Sequence, residues 1–327
     1  MSEVGVDLEK EYRVEQAELD MLKSLGIISA NEYSNAKSAL RKNDRFAALF
    51  AIKKQKGLSA QVESFSSARL GEEETFGEGQ TAQEMVFIAR GDFEMGATEG
   101  NSQAMSRVRP SFQVRLVRDY WIAKTAVTQK CWVAVMGSNP STYKGNEKPV
   151  AAMPWKDCLV FCNKLSEREG LQKAYTFSGD KITCNWDADG YRLPTSAEWE
   201  YAARAGTSDD EQKYAGSDDV QEVAWTNSMV KETQNVAQKA PNEWGLYDMG
   251  GNVWEWVWDG YDANAYSAYA EGQLIKDPRG ISYSTDRNIR GGSYHDGDIH
   301  AMSCSNLGVP ATSKYRNVGL RLVRTVS

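Results

Sequence analysis

The two histidines of the chain, His295 and His300, lie in one short run that also contains Asp296 and Asp298. Two imidazoles and a carboxylate form a known ligand set for transition metals, and an imidazole can also act as a general acid or base. The spacing does not place these side chains on one face of a helix, and the sequence places no nucleophile with an orienting group beside them. We therefore predict neither a metal site nor a catalytic residue in this run.

The cysteines also give no sign of a metal site or a disulfide framework. The chain has five, none in a Cys-x-x-Cys pair or followed by a histidine at zinc-finger spacing: Cys131, Cys158, Cys162, Cys184 and Cys304. A disulfide framework is not expected in a chain of 327 residues. We interpret the cysteines as small buried side chains.

A regular frame encloses the histidine run. The glycine-rich residues 290–293 precede it and an apolar strand, residues 318–323, follows it. Between them, residues 294–316 have neither helical nor strand periodicity. They mix apolar and aromatic side chains with His, Asp and Asn, as recognition surfaces do, whereas a solvated loop usually carries more Lys and Glu. This arrangement favours a binding surface over a catalytic site.

Composition excludes several classes of function. The net charge is −7 and no Lys/Arg stripe is present, so we expect no nucleic-acid partner. We predict no transmembrane segment, because no apolar run is long enough to span a bilayer. The N-terminus has no signal-peptide pattern and the first cysteine is Cys131, so neither a signal peptide nor an N-terminal lipid anchor is expected. The location in the cell stays open.

The chain divides into three parts. Residues 1–57 are predicted to form a small helical hairpin module, in which Ser29 and Glu32 form a capping box. Residues 58–83 are polar and are predicted to be a linker. Residues 84–327 have the texture of a folded domain, with strands near 86–88, 112–117 and 253–259 and helices near 128–136, 155–169 and 195–205. We expect Trp254, Trp256 and Trp258 to pack in its core.

Several motifs in this domain occur in the order of one family. They are residues 84–96, 120–129, 191–203, 242–256, 290–294 and 316–324. Over residues 84–325 the chain resembles the formylglycine-generating enzyme (sulfatase-modifying factor) family. The resemblance implies an α+β, C-type-lectin-like domain with little regular structure and termini that meet, preceded here by the small helical N-terminal segment.

The chain lacks the catalytic cysteines that the resemblance would imply. The family's enzymes use two cysteines that bind copper and react with oxygen, and these would fall near Asp296 and Ala301. A carboxylate and a methyl group cannot replace a thiolate pair, because a soft metal needs sulfur ligands. A copper-dependent oxidase and a calcium-dependent carbohydrate binder are the alternative hypotheses. The fold can hold structural calcium, but no acidic loop motif identifies a site, and we predict no other cofactor.

A second branch of the same fold fits better. The chain resembles the variable proteins of diversity-generating retroelements, those of treponemes in particular. In them a C-terminal segment is diversified by mutagenic reverse transcription at adenines of AAC-type codons, which cannot produce Glu, Gln, Lys, Met or Trp. Within residues 294–316 only Met302 and Lys314 lie outside the reachable set. The resemblance implies a non-enzymatic display protein at the bacterial surface, whose protein or glycan ligand differs between variants.

We predict that the ligand-binding side chains all come from this variable segment, residues 294–316. They are Tyr294, His295, Asp296, Asp298, Ile299, His300, Cys304, Asn306, Leu307, Val309, Ser313, Tyr315 and Arg316. The strongest anchors are expected among the aromatic, apolar and imidazole members of this set. The ligand itself and the oligomeric state stay open.

Overall fold

The computed structural model describes residue 23 and residues 69–97, 104–206, 212–268, 274–281 and 284–326. The predicted helical hairpin, residues 1–57, lies outside these ranges except for Lys23, and so does the first part of the predicted linker. No helix in the described ranges is long and apolar enough to cross a membrane.

The described part of the chain mixes short helices and strands, which confirms the predicted α+β class. The helices are α1, Gln129–Met136; α2, Trp155–Arg168; α3, Ser196–Ala203; α4, Val220–Val223; and α5, Ala265–Ala268. The strands are β1, Glu73–Phe76; β2, Gln83–Ile88; β3, Asp92–Met95; β4, Phe112–Arg115; β5, Tyr120–Ala123; β6, Tyr175–Ser178; β7, Lys181–Cys184; β8, Tyr191–Arg192; β9, Ala224–Trp225; β10, Gly250–Gly251; β11, Trp254–Gly260; β12, Ile275–Lys276; β13, Asp286–Arg290; β14, Asn306–Pro310; β15, Val318–Leu320; and β16, Val323–Thr325.

The main sheet brings the two ends of the domain together. Its order is β1-β2-β5-β16-β8, so the early strand β2 and the last strand β16 flank β5 on opposite sides. Both pair antiparallel with β5, and Ile122 lies opposite Val86 on one side and Val323 on the other. All three of these side chains are buried. The prediction that the termini of the domain meet is therefore confirmed.

The second sheet carries the predicted variable segment. Its order is β14-β13-β11-β15, with β11 in the interior. Trp254 and Trp256 of β11 are fully buried, and Trp258 stacks on Tyr175 with ring centroids 5.5 Å apart. These tryptophans are core residues, as predicted, because burying large aromatic surface against both neighbouring layers stabilises the fold.

The predicted linker is wrong in its last part. Residues 73–76 form β1, which pairs antiparallel with β2. Phe76 packs edge-on against Trp121, with ring centroids 5.2 Å apart. The polar composition of this stretch is that of a charged edge strand, which resembles a linker when read as sequence alone. The folded domain therefore begins before residue 84.

The helix ends follow the local sequence signals. Thr128 caps α1 by accepting a hydrogen bond from the Cys131 amide, and Gly137 ends that helix with a left-handed backbone. Thr195 and Glu198 form a capping box at the start of α3. Capping satisfies amides that the first turn leaves without a helical partner, so these boundaries are specified locally.

Candidate ligand-binding surface

Arg290, at the end of β13, anchors the lead-in to the variable segment. Its side chain is fully buried and pairs with Glu200, with nitrogen and oxygen 2.9 Å apart. The guanidinium also donates to the Ser196 hydroxyl at 2.7 Å and to the Cys304 carbonyl at 3.0 Å. A buried charge needs such partners, because an unpaired one costs several kcal/mol. Arg290 therefore holds the main chain of the segment against α3.

Gly292 allows the segment to fold back over this lead-in. Its φ is +73°, and a Cβ placed there would lie 2.5 Å from the His300 carbonyl oxygen. Gly250 faces the neighbouring residue in the same way, since a Cβ there would lie 2.9 Å from the Ala301 carbonyl oxygen. A side chain at either glycine would displace the segment's backbone.

The variable segment is more regular than its sequence suggests. After a turn, residues 298–301 form a short 3-10 helix. Residues 306–310 then form β14, which pairs antiparallel along β13, and a loop over residues 311–317 leads to β15. The prediction of an irregular filling is wrong for β14, because Gly308 and Pro310 hide the strand pattern. Gly308 is required there, since a Cβ would fall within 2.1 Å of the Tyr261 ring.

The first half of the segment is held through its main chain. The Tyr294 amide donates to the Asn252 carbonyl at 3.0 Å, and the Asn227 amide donates to the Asp296 carbonyl at 3.0 Å. Farther along, the Ser303 amide donates to the carbonyl of Lys213 at 3.1 Å. These bonds use backbone atoms of the segment, so they do not depend on which side chains it carries.

The second half of the segment is also held through hydrogen bonds to its main chain. Arg107 donates to the Asn306 carbonyl at 2.6 Å. The Trp155 amide donates to the Ala311 carbonyl at 3.0 Å, and the Ala152 amide donates to the Tyr315 carbonyl at 3.1 Å. The partners lie outside residues 294–316 in every case. The path of the segment is thus specified largely by residues that are not part of it.

Two predicted ligand-binding carboxylates already accept hydrogen bonds from other residues of the protein. Asp296 accepts a hydrogen bond from the Trp254 indole N–H at 2.8 Å and another from the Ser293 hydroxyl. Asp298 accepts from the Thr226 hydroxyl at 2.5 Å and from the Ser228 hydroxyl at 3.2 Å. Both carboxylates connect the first turn of the segment, residues 294–298, to the framework, by which we mean the described residues outside 294–316. Part of their capacity to accept hydrogen bonds is therefore used within the protein.

The predicted site residues divide by exposure into three groups. Those at the surface are His295, Ile299, Tyr315 and Arg316; those half-buried are Asp296, Asp298, His300, Leu307 and Ser313; those buried are Tyr294, Cys304, Asn306 and Val309. Ile299 and Tyr315 are exposed by 40% and 46%, unusual for large apolar and aromatic side chains. The first turn and the 311–317 loop therefore present the accessible surface.

The buried group corrects the predicted site. Cys304, Asn306 and Val309 are buried, and Cys304 and Val309 belong to the hydrophobic core. Tyr294 is 1% exposed, and its ring packs edge-on against Tyr143. Burial raises the pKa of the Tyr294 phenol to about 12. These four side chains do not reach the surface in this arrangement.

His300 is intermediate between framework and surface. Its ring lies edge-on to Trp254, with centroids 5.7 Å apart, and its buried Nδ1 has no hydrogen-bond partner. Burial lowers the pKa of His300, and nearby Arg107 lowers it further, while Asp296 opposes them. The imidazole is therefore held toward its neutral form.

Sequence reasoning missed the residues outside the segment that border it. Tyr143 covers Tyr294, and the Asn227 side chain donates to the His295 carbonyl at 3.4 Å. Arg107 reaches Asn306 from nearly two hundred residues earlier in the chain. No local pattern links such distant positions, because only the tertiary fold brings them to the segment.

The residues present do not fit the copper chemistry of the family's enzymes. At the two positions where the cysteine pair would fall, Asp296 bonds to Trp254 and Ala301 is a buried methyl group. Within the described ranges, no group of three His, Cys, Asp or Glu side chains is placed to hold a metal ion. Neither position offers the sulfur that a soft metal requires.

Comparison with known proteins identifies the family of the domain. Residues 71–326 match the family described as the Sulfatase-modifying factor enzyme 1-like domain. The formylglycine-generating enzyme of Streptomyces coelicolor is 34% identical over 270 residues, covering 70% of this chain and 83% of that protein. The chaperone protein LppX of Paenibacillus barcinonensis is 38% identical over 194 residues, covering 49% of this chain and 69% of that protein.

A solved structure extends the comparison. Treponema denticola variable protein 1 superposes with a TM-score of 0.69 at 28% identity, covering 78% of this chain and 99% of that chain. Relatives with such different names show that membership of the family does not by itself specify an activity. The protein belongs to the sulfatase-modifying factor family, with the α+β, C-type-lectin-like fold that its motifs predict, and it resembles a bacterial variable protein in structure.

Proposed function

We propose that this protein is a non-enzymatic ligand-binding display protein whose segment 294–316 is diversified by a retroelement. The similarity to a treponemal variable protein supports the class. The composition of the segment supports the mechanism, since only Met302 and Lys314 lie outside the set that adenine mutagenesis can reach.

The observation that carries the proposal is how the segment is held. Framework residues bond to its main chain from Tyr294 to Tyr315, so the backbone keeps its path while exposed side chains change. A fixed enzyme site would instead require particular side chains in a particular geometry. A scaffold that specifies the path but leaves the outward side chains open is suited to diversification.

The structure narrows the set of contact residues that we propose. Of the predicted contact residues, His295, Ile299, Tyr315 and Arg316 are exposed, and His300, Leu307 and Ser313 are half-buried. Aromatic and arginine side chains commonly dominate binding energy, so Tyr315 and Arg316 are the expected anchors of this variant. Asp296 and Asp298 act mainly by positioning the first turn.

The oxidase alternative is supported by sequence similarity to relatives named formylglycine-generating enzymes, one of them 34% identical. The two cysteines of such enzymes would, however, fall near Asp296 and Ala301 in this chain, and neither residue is a cysteine. Incubating the full chain with copper(I), oxygen and a cysteine-containing sulfatase peptide is expected to yield no oxidised peptide. Formation of formylglycine in that assay would contradict the proposal.

Sequencing the gene and its surroundings tests the proposal directly. We expect a near-copy of codons 287–324 beside a reverse-transcriptase gene, differing from the coding copy only at adenines. Clones of the 3′ end from several isolates should then differ at the codons of His295, Ile299 and Tyr315. Codons for framework residues such as Arg290 provide the internal control, because they should not vary. Identical clones and no near-copy would contradict the proposal.

A further inference from the structure

The accessible part of the variable segment is bordered by cations. Lys314 and Arg316 are exposed within it, and Lys144 and Lys231 are exposed beside it. We propose that this basic patch, formed by Lys144, Lys231, Lys314 and Arg316, binds an acidic segment of a protein partner. The proposal rests on the proposed function and names the chemical class of ligand that the surface takes.

Both lysines outside the segment lie next to residues that contact it. Lys144 follows Tyr143, whose ring packs on Tyr294 at 5.6 Å between centroids. Lys231 donates to the Asn227 carbonyl at 2.8 Å, and Asn227 in turn bonds to the main chain of Asp296. Arg316 lies near enough to Tyr294 to lower the pKa of its phenol, against the larger effect of burial. Lys231 and Arg316 therefore lie beside the first residues of the segment, and Lys144 adjoins the tyrosine that packs on Tyr294.

The carboxylates of the adjoining elements are neutralised within the protein. Glu147 pairs with Lys130 at 2.7 Å, and Glu232 pairs with Lys148 at 3.2 Å. The first turn of α2 lies next to Ala311, and its one lysine and one aspartate, Lys156 and Asp157, add no net charge.

The segment's own carboxylates also accept hydrogen bonds within the protein. Asp296 accepts them from Trp254 and Ser293, and Asp298 accepts them from Thr226 and Ser228. By contrast, neither of the patch cations Lys144 and Lys231 has a carboxylate partner among the described residues, since both donate to backbone carbonyls. Lys314 and Arg316 likewise have no salt bridge within the described ranges. Asp218, Asp219 and Asp298 all lie near the phenol of Tyr214. The segment thus has a basic side, in a chain whose net charge is −7.

The apolar content of the surface favours a protein over another polyanion. Ile299 and Tyr315 are two of the most exposed large apolar and aromatic side chains in the described ranges. Exposed anchors with charges at their border are the pattern of protein interfaces. A nucleic-acid site would need a longer basic stripe to follow the phosphates. We infer that the partner offers Asp or Glu beside an apolar or aromatic residue.

Lys144 and Lys231 lie outside the diversified range, and this gives the patch a constant part. Side chains at 315 and 316 would change between copies, whereas these two lysines would not. Long-range attraction between opposite charges raises association rates and disfavours like-charged partners. Every variant would therefore share a preference for acidic partners, on which the diversified side chains impose their own specificity.

A selection from displayed random peptides tests this with the full chain as bait. We expect the peptides retained by the native chain to be enriched in Asp and Glu. In the double variant Lys144→Glu, Lys231→Glu we expect that enrichment to disappear, and native-selected peptides to bind about threefold to tenfold more weakly at low salt. The matched control is Lys164→Glu, Lys181→Glu, which makes the same charge change at two exposed lysines of α2 and β7. The control should keep the enrichment.

Three results would contradict the proposal, and they differ in meaning. Peptides that depend on Ile299 and Tyr315 but show no acidic enrichment would leave the proposed function standing and overturn the basic patch. Heparin or single-stranded DNA that displaces the peptides and binds equally well would show a general polyanion surface. Absence of any peptide whose binding depends on residues 294–316 would overturn the patch and the proposed function together.

Discussion

Arg290 and Arg316 show how differently the two ends of one region use the same side chain. Arg290 is fully buried, paired with Glu200 and bonded to Ser196 and the Cys304 carbonyl. Arg316 is exposed in the loop before β15. One arginine specifies the path of the chain, and the other offers its donors to solvent or a ligand. We therefore expect framework and segment to be separable, with stability depending on the buried end and, under the proposed function, recognition depending on the exposed end.

The largest expected effect comes from breaking the framework end. Arg290→Met should lower the free energy of unfolding by about 3–5 kcal/mol, because Glu200 and the Cys304 carbonyl lose a buried partner. Urea denaturation measures the loss. Arg316→Met is the control and should change stability by no more than about 0.5 kcal/mol. Similar losses in the two variants would show that segment and framework are not separable.

A pH titration of stability examines the framework carboxylate Asp259. Burial raises its pKa from 3.8 to about 7, while its Oδ2 accepts the Ser196 amide at 2.8 Å. The folded state binds this proton more tightly than the unfolded state, so its contribution is full below about pH 4 and is lost as the pH rises through about 7. Asp259→Asn should remove a decline of up to about 1.4 kcal/mol per pH unit in that window. A variant and native chain with parallel curves would contradict this assignment.

Two glycines sharpen the comparison within a few residues. Gly292→Ala should destabilise the fold by about 2 kcal/mol, because φ is +73° and the new Cβ would approach the His300 carbonyl. Gly297→Ala is its matched control, since φ is −71° and no atom lies within 4 Å of the added Cβ. Thermal unfolding should leave the control unchanged or slightly stabilised. A destabilised control would show that the first turn tolerates less change than we propose.

The smallest effect on stability is expected at the exposed anchors. Ile299→Ala and Tyr315→Ala should each shift the free energy of unfolding by less than about 0.5 kcal/mol, because neither side chain is buried. Peptides selected on the native chain should nevertheless lose most of their binding to the double variant. Buried Val309→Ala is the contrasting change and should destabilise the fold measurably. Loss of stability at Ile299 or Tyr315 would place them in the framework.

Features that depend on residues close together in the sequence could be predicted from the sequence. The capping box of Thr195 and Glu198, the left-handed end of α1 at Gly137 and the buried tryptophans of β11 all follow from neighbouring residues. The motifs around them also predicted the family and the α+β fold. Residues 294–316 stay a prediction as the binding segment, made because their frame is regular and their contents are not.

The errors lie where distant residues decide the outcome. β1 was predicted as a linker, since an edge strand needs no apolar alternation when its partner β2 covers one side. Cys304, Asn306 and Val309 were predicted to face a ligand, yet all three are buried by elements that the local sequence does not identify. Tyr143 and Lys231 could not be assigned to the surface from sequence, because only tertiary contacts connect them to residues 294–296.

The position of β16 has a consequence for quality control. This strand lies between β5 and β8 in the main sheet, and it is translated only after residues 294–316. Arg321, which pairs with buried Glu255 at 2.9 Å, is also encoded beyond the segment. A gene copy that acquired a frameshift within codons 294–316 would lack both and could not complete its core. Under the proposed function, folding would thus discard faulty copies before they reach a ligand, and only intact variants would be displayed.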